Sequence, residues 1–298
     1  MRKGIIFLFL VFFAGCGVKK NPPKVVPPDI NEVLKLAWEE YDNFSFSKAY
    51  ALFDSAIVLD AFNPEGYFGK GWAATQILKL DDAISSFSFA LILYNQRFDL
   101  PCFKEIIPED SSSFWGIDSI IGRDTFWHIN VRNKPLLSLT SISIKKGTKF
   151  VSPEIKDIND ESALLRNFAP KTSDNLIDTI FINYYYFSVP QSVDEKVALS
   201  YGGLTFSYTG KENYTDAIIT GRAVSKAVNS LDFPHPYPVI NMTKLKATVA
   251  YAAFKMGYMG LCVRILSEID DQFIPPPNPY DPDRWGEILE ELKKFLGA

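Results

Sequence analysis

The sequence predicts a mainly α-helical protein of antiparallel helical hairpins interrupted by a β-rich insertion. Three observations carry this expectation. Sliding the chain against itself by 34 residues pairs Ala37 with Gly71, Trp38 with Trp72, Ala49 with Ala83, Phe53 with Phe87, Ala56 with Ala90 and Ile57 with Leu91. From residue 98 to 190 the helical period gives way to alternating β-branched and aromatic residues. Helical spacing with small residues then returns over 191–274.

Residues 1–15 come first. Arg2 and Lys3 precede an apolar stretch over 4–13, and small Ala14 and Gly15 precede Cys16. Positive, apolar and small, in that order, is the grammar of a secretory signal peptide. The apolar stretch is short of the about 20 residues that a spanning helix needs. A signal peptide cut elsewhere and an N-terminal membrane helix are the alternatives. Phe13-Ala14-Gly15-Cys16 resembles the lipobox of bacterial lipoproteins, with Phe13 where that family usually has Leu. The resemblance implies cleavage after Gly15, acyl chains on Cys16 and attachment to a membrane through that lipid. Gly17 stands where Asp commonly retains such proteins at the inner membrane, which implies the outer membrane in preference. Residues 16–30 read as a tether. Within them 18–29 (VKKNPPKVVPPD) holds four prolines in twelve residues, and proline fixes φ and removes donors, so the segment is extended and semi-rigid.

Composition bounds the body of the chain. Without residues 1–15 it keeps 29 basic and 35 acidic side chains, a net charge of −6. That mild acidity argues against a phosphate-driven nucleic-acid binder. A hydrophobic content of 47% supports a real core, and the length allows one large or two modest domains. Cys102 and Cys262 lie 160 residues apart. Export to an oxidising compartment allows a bridge between them, and two buried free thiols are the alternative.

Residues 31–97 hold two repeats, with helices expected at 31–43, 46–60, 64–79 and 80–95. Asn63-Pro64-Glu65 supplies an N-cap, a first-turn proline and a first-turn carboxylate. Small Ala37, Gly71, Ala49 and Ala83 let helices approach, while Phe53 and Phe87 fill the space between hairpins. The 34-residue period with this residue pattern resembles the tetratricopeptide repeat, which implies a TPR-like α-solenoid. In that family the first helices line a concave groove, so the resemblance assigns Leu34, Trp38, Tyr41, Phe68, Trp72 and Thr75 to it. The two tryptophans either form an aromatic ladder there or are covered and become core.

The insertion over 98–190 reads as a small β subdomain, with strands at 125–131, 136–145 and 178–189 and a turn at Lys146-Gly147. Alternation puts Tyr184 and Tyr186 on one strand face and Tyr185 and Phe187 on the other, so either one face binds while the other packs, with Tyr184 and Tyr186 as the candidates, or the sheet is buried on both faces. Helices come next at 192–209, 213–230, 240–257 and 259–271, as degenerate TPR-like hairpins. In 211–224 (KENYTDAIITGRAV), Tyr214, Ala217 and Gly221 sit as in a second repeat helix, and Gly202-Gly203 reads as close packing. Residues 275–279 (PPPNP) break the chain before a capping helix at 282–296, capped by Asp281, with Trp285, Ile288, Leu289, Leu292, Phe295 and Leu296 on its apolar face.

Motifs for chemistry are missing from the sequence. The two histidines, His128 and His235, have no ligand-spaced partner, and HExxH, CxxC, GxSxG and the phosphate-cradling glycine loop do not occur. The expectation is a non-enzyme without cofactor or metal, which binds no nucleic acid. Two readings stand. One is an envelope scaffold that docks a protein or peptide, similar in form to repeat-containing lipoproteins of outer-membrane assembly and secretion. The other is a glycan-capturing lipoprotein using Trp38, Trp72 and Tyr184, similar to a family whose tetratricopeptide core supports a binding insertion.

Overall fold

The computed structural model describes residues 29–95, 98, 102–108, 115–121, 124–130, 134–146, 149–166, 179–187, 193–236 and 239–297. The expected export signal, Cys16 and nearly all of the expected tether lie outside these residues. Among them the fold is mainly helical, with two small antiparallel sheets.

Helices α1 (Ile30–Asp42) and α2 (Phe46–Leu59) pack together, as do α3 (Pro64–Gln76) and α4 (Leu80–Leu93). After the strands come α5 (Glu195–Gly210) with α6 (Tyr214–Ala227) and α7 (Met242–Lys255) with α8 (Met259–Ile269). A 3-10 turn at Pro282–Arg284, capped by Asp281, leads into α9 (Trp285–Leu296). Each pair is joined by three residues, which forces the partners antiparallel.

All four pairs close on the same turn. Phe44, Leu78, Glu212 and Gly257 have φ of 61°, 59°, 60° and 77°. The residue after each reaches back across the turn: Ser45 N–H to the Glu40 carbonyl (2.8 Å), Lys79 to Ala74, Asn213 to Tyr208 and Tyr258 to Ala253 (2.9 Å each). This left-handed closure satisfies carbonyls that a helix end leaves unpaired.

Helix starts are set by local chemistry. Asp29, Asn63, Asp194, Asn213 and Asn241 accept backbone N–H groups at the starts of α1, α3, α5, α6 and α7. In the interior α5 takes the place beside α4, although about a hundred residues separate them in sequence. Phe87 of α4 is the wedge. A Cβ added at Gly71 would come within 2.7 Å of its ring, and one added at Gly203 within 2.2 Å. Both glycines are therefore imposed by close helix approach, as expected at Gly203.

The strands form two four-stranded sheets. One has the order β1 (Cys102–Pro108), β8 (Thr179–Tyr186), β4 (Leu136–Lys146), β5 (Lys149–Val151). The other has the order β2 (Trp115–Ile121), β3 (Asp124–Asn130), β7 (Ser162–Arg166), β6 (Glu154–Ile158). Every pairing is antiparallel; in the first sheet Tyr184 of β8 stands opposite Phe103 and Leu139. Buried Ile129, Leu136, Leu165, Ile180 and Ile182 join Ile218, Ala250, Leu266 and Ile288 in one apolar cluster, so the sheets share a core with the C-terminal helices. A second cluster, around Phe53, Trp72 and Phe87, belongs mostly to α1–α6.

Candidate functional site

The aromatic set around Trp38 and Trp72 is largely core, the second of the two readings that the sequence left open. Leu34, Tyr41, Phe68 and Trp72 are buried, while Trp38 and Thr75 are half-buried. The cover comes from residues 231–236, which come after α6 and fold back over α1 and α3. The Phe233 ring lies 4.5 Å from that of Trp72 and also meets Trp38, Tyr41 and Phe68. His235 stacks on Trp38 at 4.0 Å with an interplanar angle of 13°, and its Nδ1 is 2.7 Å from Asp42. Phe233 N–H donates to the Ile240 carbonyl and Asp232 bridges Asn241, which closes this strap upon itself. Trp38 Nε1 donates to Glu65 (3.2 Å), and the Thr75 hydroxyl donates to the Gly71 carbonyl and pairs with Ser207. The sequence signal for this filling was the apolar pair Leu231 and Phe233 in a connection too short for its own core.

The insertion residues divide differently from expectation. Tyr184 is fully buried and Tyr186 half-buried, so their face packs. Tyr185, from the opposite face, lines a cavity of about 390 Å³ with Tyr201, Tyr208, Leu204, Ile92 and Asp216. Burial first, and Asp216 second, raise the Tyr208 pKa. The bridge allowed between Cys102 and Cys262 is not formed: Cys262 is a free, buried thiol. Burial, with the charge of Asp157 adding to it, pushes that thiol up to about 12. Cys102 sits on β1, opposite Tyr185.

The larger cavity, about 450 Å³, lies at the seam where α6, α7 and α8 meet the turn between β6 and β7. Arg222 and Lys226 of α6, Lys246 of α7 and Arg264 of α8 converge there. The turn presents Asp160 and Glu161, shaped by Asn159, whose side chain accepts the N–H groups of Glu161 and Ser162 at 2.7 Å each. Arg222 is nearly fully buried and forks between the Leu137 carbonyl and Asp160, 2.7 Å to each. Lys226 holds the other oxygen of Asp160, and Lys246 pairs with Glu268 at 2.7 Å. Burial opposes ionisation of Asp160, but Lys226 and Arg222 outweigh it and hold its carboxyl below the ordinary value. Burial also lowers the Arg222 pKa, against the pull of Asp160.

Asp157 is the second pin of this seam. It is buried, and its Oδ1 accepts the Leu261 N–H at 2.8 Å, which supplies α8 with the cap that its own Tyr258 does not provide. Arg264 and the Tyr280 hydroxyl donate to Oδ2 at 3.2 and 3.1 Å. Burial raises its pKa, opposed by Arg264 and by these hydrogen bonds. Sequence reading singled out none of these charges. Arg222 alone left a signal, a cation inside the small and apolar run 217–224 (AIITGRAV). No protein-family model matches the chain, and no curated protein or solved structure matches it significantly.

Proposed function

We propose that this chain is a lipid-anchored envelope scaffold that docks a protein or peptide partner. Acyl chains on Cys16 hold it at a membrane, the outer one in preference, and a TPR-like α-solenoid forms its body. The observation that carries this reading is the fourfold recurrence of one left-handed turn, in hairpins whose first two copies repeat every 34 residues. Such arrays offer a rigid frame for binding surfaces. The chain's own strap fills the concave face, so the docking site is the seam cleft. Two cations of α6, Arg222 and Lys226, already hold a carboxylate of the β6–β7 turn there, and a partner segment rich in carboxylates fits the same chemistry. In this reading the chain binds and performs no reaction, and it uses no cofactor or metal.

Crosslinking of the acylated protein in its own envelope tests the cleft. A Lys226→Glu/Lys246→Glu variant that melts like wild type should lose the crosslinked partner; recovery of the same partner in the same yield would sink the cleft as the docking site. For the anchor, Cys16→Ser should release the protein from the membrane and remove the acyl mass. A variant that stays bound with unchanged mass refutes the lipid anchor.

One observation favours a second reading, ligand capture. The smaller cavity surrounds an apolar floor with Tyr185, Tyr201 and Tyr208 beside Asp216, and ring faces with polar edges suit a sugar. Calorimetric titration with oligosaccharides should then give heat for wild type and none for Tyr185→Ala. Silence from both proteins rejects this alternative.

A further inference from the structure

A strip of exposed apolar side chains remains unused by either reading. Val58 and Phe62 are each 81% exposed, and Phe89, Ile92 and Leu59 are 52%, 47% and 39% exposed. Val58 and Ile92 are 34 residues apart and occupy the same place on α2 and α4. Phe89 extends the strip by stacking on Tyr67 at 5.5 Å. All of these lie toward the ends of α2 and α4 or just beyond.

The described chain begins at that same end. Asp29 caps α1, and α1 runs antiparallel to α2, so its first turn lies level with the last turn of α2. The opposite end of the helices, where Phe44 and Leu78 are exposed, is roughly 20 Å further along the axis, at about 1.5 Å per residue. Between Cys16 and Asp29 stand the residues 17–28, which reach about 40 Å at roughly 3.1 Å per residue when extended.

We propose that this end of the molecule lies against the lipid surface, with Val58, Phe62, Phe89 and Ile92 entering the interfacial zone. The inference rests on the lipid-anchor reading of Cys16: a tether rooted at the end that carries the strip places that end nearer the bilayer than the opposite one. The contact is apolar rather than Coulombic. Asp29, Glu32, Asp60 and Glu65 lie at this end of the body, while Lys19, Lys20 and Lys24 sit in the tether on the lipid side. Contact through the strip is therefore retained in high salt.

The acylated protein is tested in phosphatidylcholine–phosphatidylethanolamine vesicles, in a Cys102→Ser background. Phe62→Cys and Leu78→Cys, both at exposed positions, each carry an environment-sensitive fluorophore. The expected result is a blue shift at position 62, with quenching by brominated lipid roughly twofold or more above that at position 78. Equal spectra and equal quenching at the two positions overturn the proposal. A blue shift at 62 that appears without vesicles and grows with protein concentration also overturns it, since a second copy then covers the strip. The mass of the same sample separates the two ideas. An acylated protein with a silent probe at 62 leaves the anchor standing and removes the apposition, whereas an unacylated one removes both.

Discussion

Arg222 and Asp157 are charged groups placed where burial penalises them, and each is held by partners from another part of the chain. Arg222 reaches the Leu137 carbonyl and Asp160 from inside α6, so losing it strands a buried carbonyl and one fork of an ion pair. We expect Arg222→Met to cost about 2–3 kcal/mol in urea unfolding. Arg222→Lys should recover little of it, because an ammonium does not span two acceptors as the planar fork does. Asp160 gives the seam a pH signature. Its pKa lies below the ordinary 3.8 in the folded state, so its stabilisation is present above that value and is lost as pH falls through the lowered one. Unfolding free energy measured from pH 5 downward should fall in wild type, and Asp160→Asn should flatten that acid limb. Asp157 has the opposite sign. Its raised pKa makes its contribution greatest in acid and diminishing as pH rises through the raised value. None of these roles was legible in the sequence, since acidic residues are plentiful and which cation meets which carboxylate depends on contacts 62 to 107 residues apart.

At the scale of the elements, the closing turn of each hairpin separates backbone geometry from packing. Leu78 is 79% exposed and holds φ 59°, a conformation that costs an L-residue about 1 kcal/mol. Leu78→Gly should therefore stabilise the protein by about 0.5–1 kcal/mol, and Gly257→Ala, at φ 77°, should destabilise it by about 1 kcal/mol. Thermal melts of the two single variants check both signs; shifts in the same direction would mean that the turns are not equivalent. The helices themselves were legible because they carry local instructions. Asn63-Pro64-Glu65 begins α3, the small residues of α6 mark its packed side, and Asp281 caps the turn before α9. The strands at 136–146 and 179–186 announced themselves by alternation and β-branched content. Their partners did not: β8 pairs with β1 and β4, and that order comes from long-range register, not from local preference.

For the molecule as a whole, the strap decides what the helical array can present. Phe233 is buried against Trp72, Trp38, Tyr41 and Phe68. Phe233→Ala should cost about 3 kcal/mol in urea unfolding. It should also redden the tryptophan emission, because water then reaches Trp38 and Trp72. Unchanged stability and emission would mean that residues 231–236 do not seal that face. The same strap links the first hairpin to the connection between α6 and α7, and α5 docks beside α4, so the helices before and after the sheets share one apolar cluster.

The sequence by itself determined the mainly helical class, the hairpin positions and the strand-rich interruption, because periodicity, caps and turn residues act within a few positions of one another. The reading of Cys16 as a lipid anchor rests on the sequence alone. Only the tertiary structure decided that the Trp38–Trp72 face is core, that Tyr185 lines a cavity in place of Tyr184, and that Cys262 stays a free thiol. It also assembled the charged seam. Those outcomes depend on which distant segment comes to rest on which face, and the free energy that settles it comes from burial shared by residues far apart in the chain.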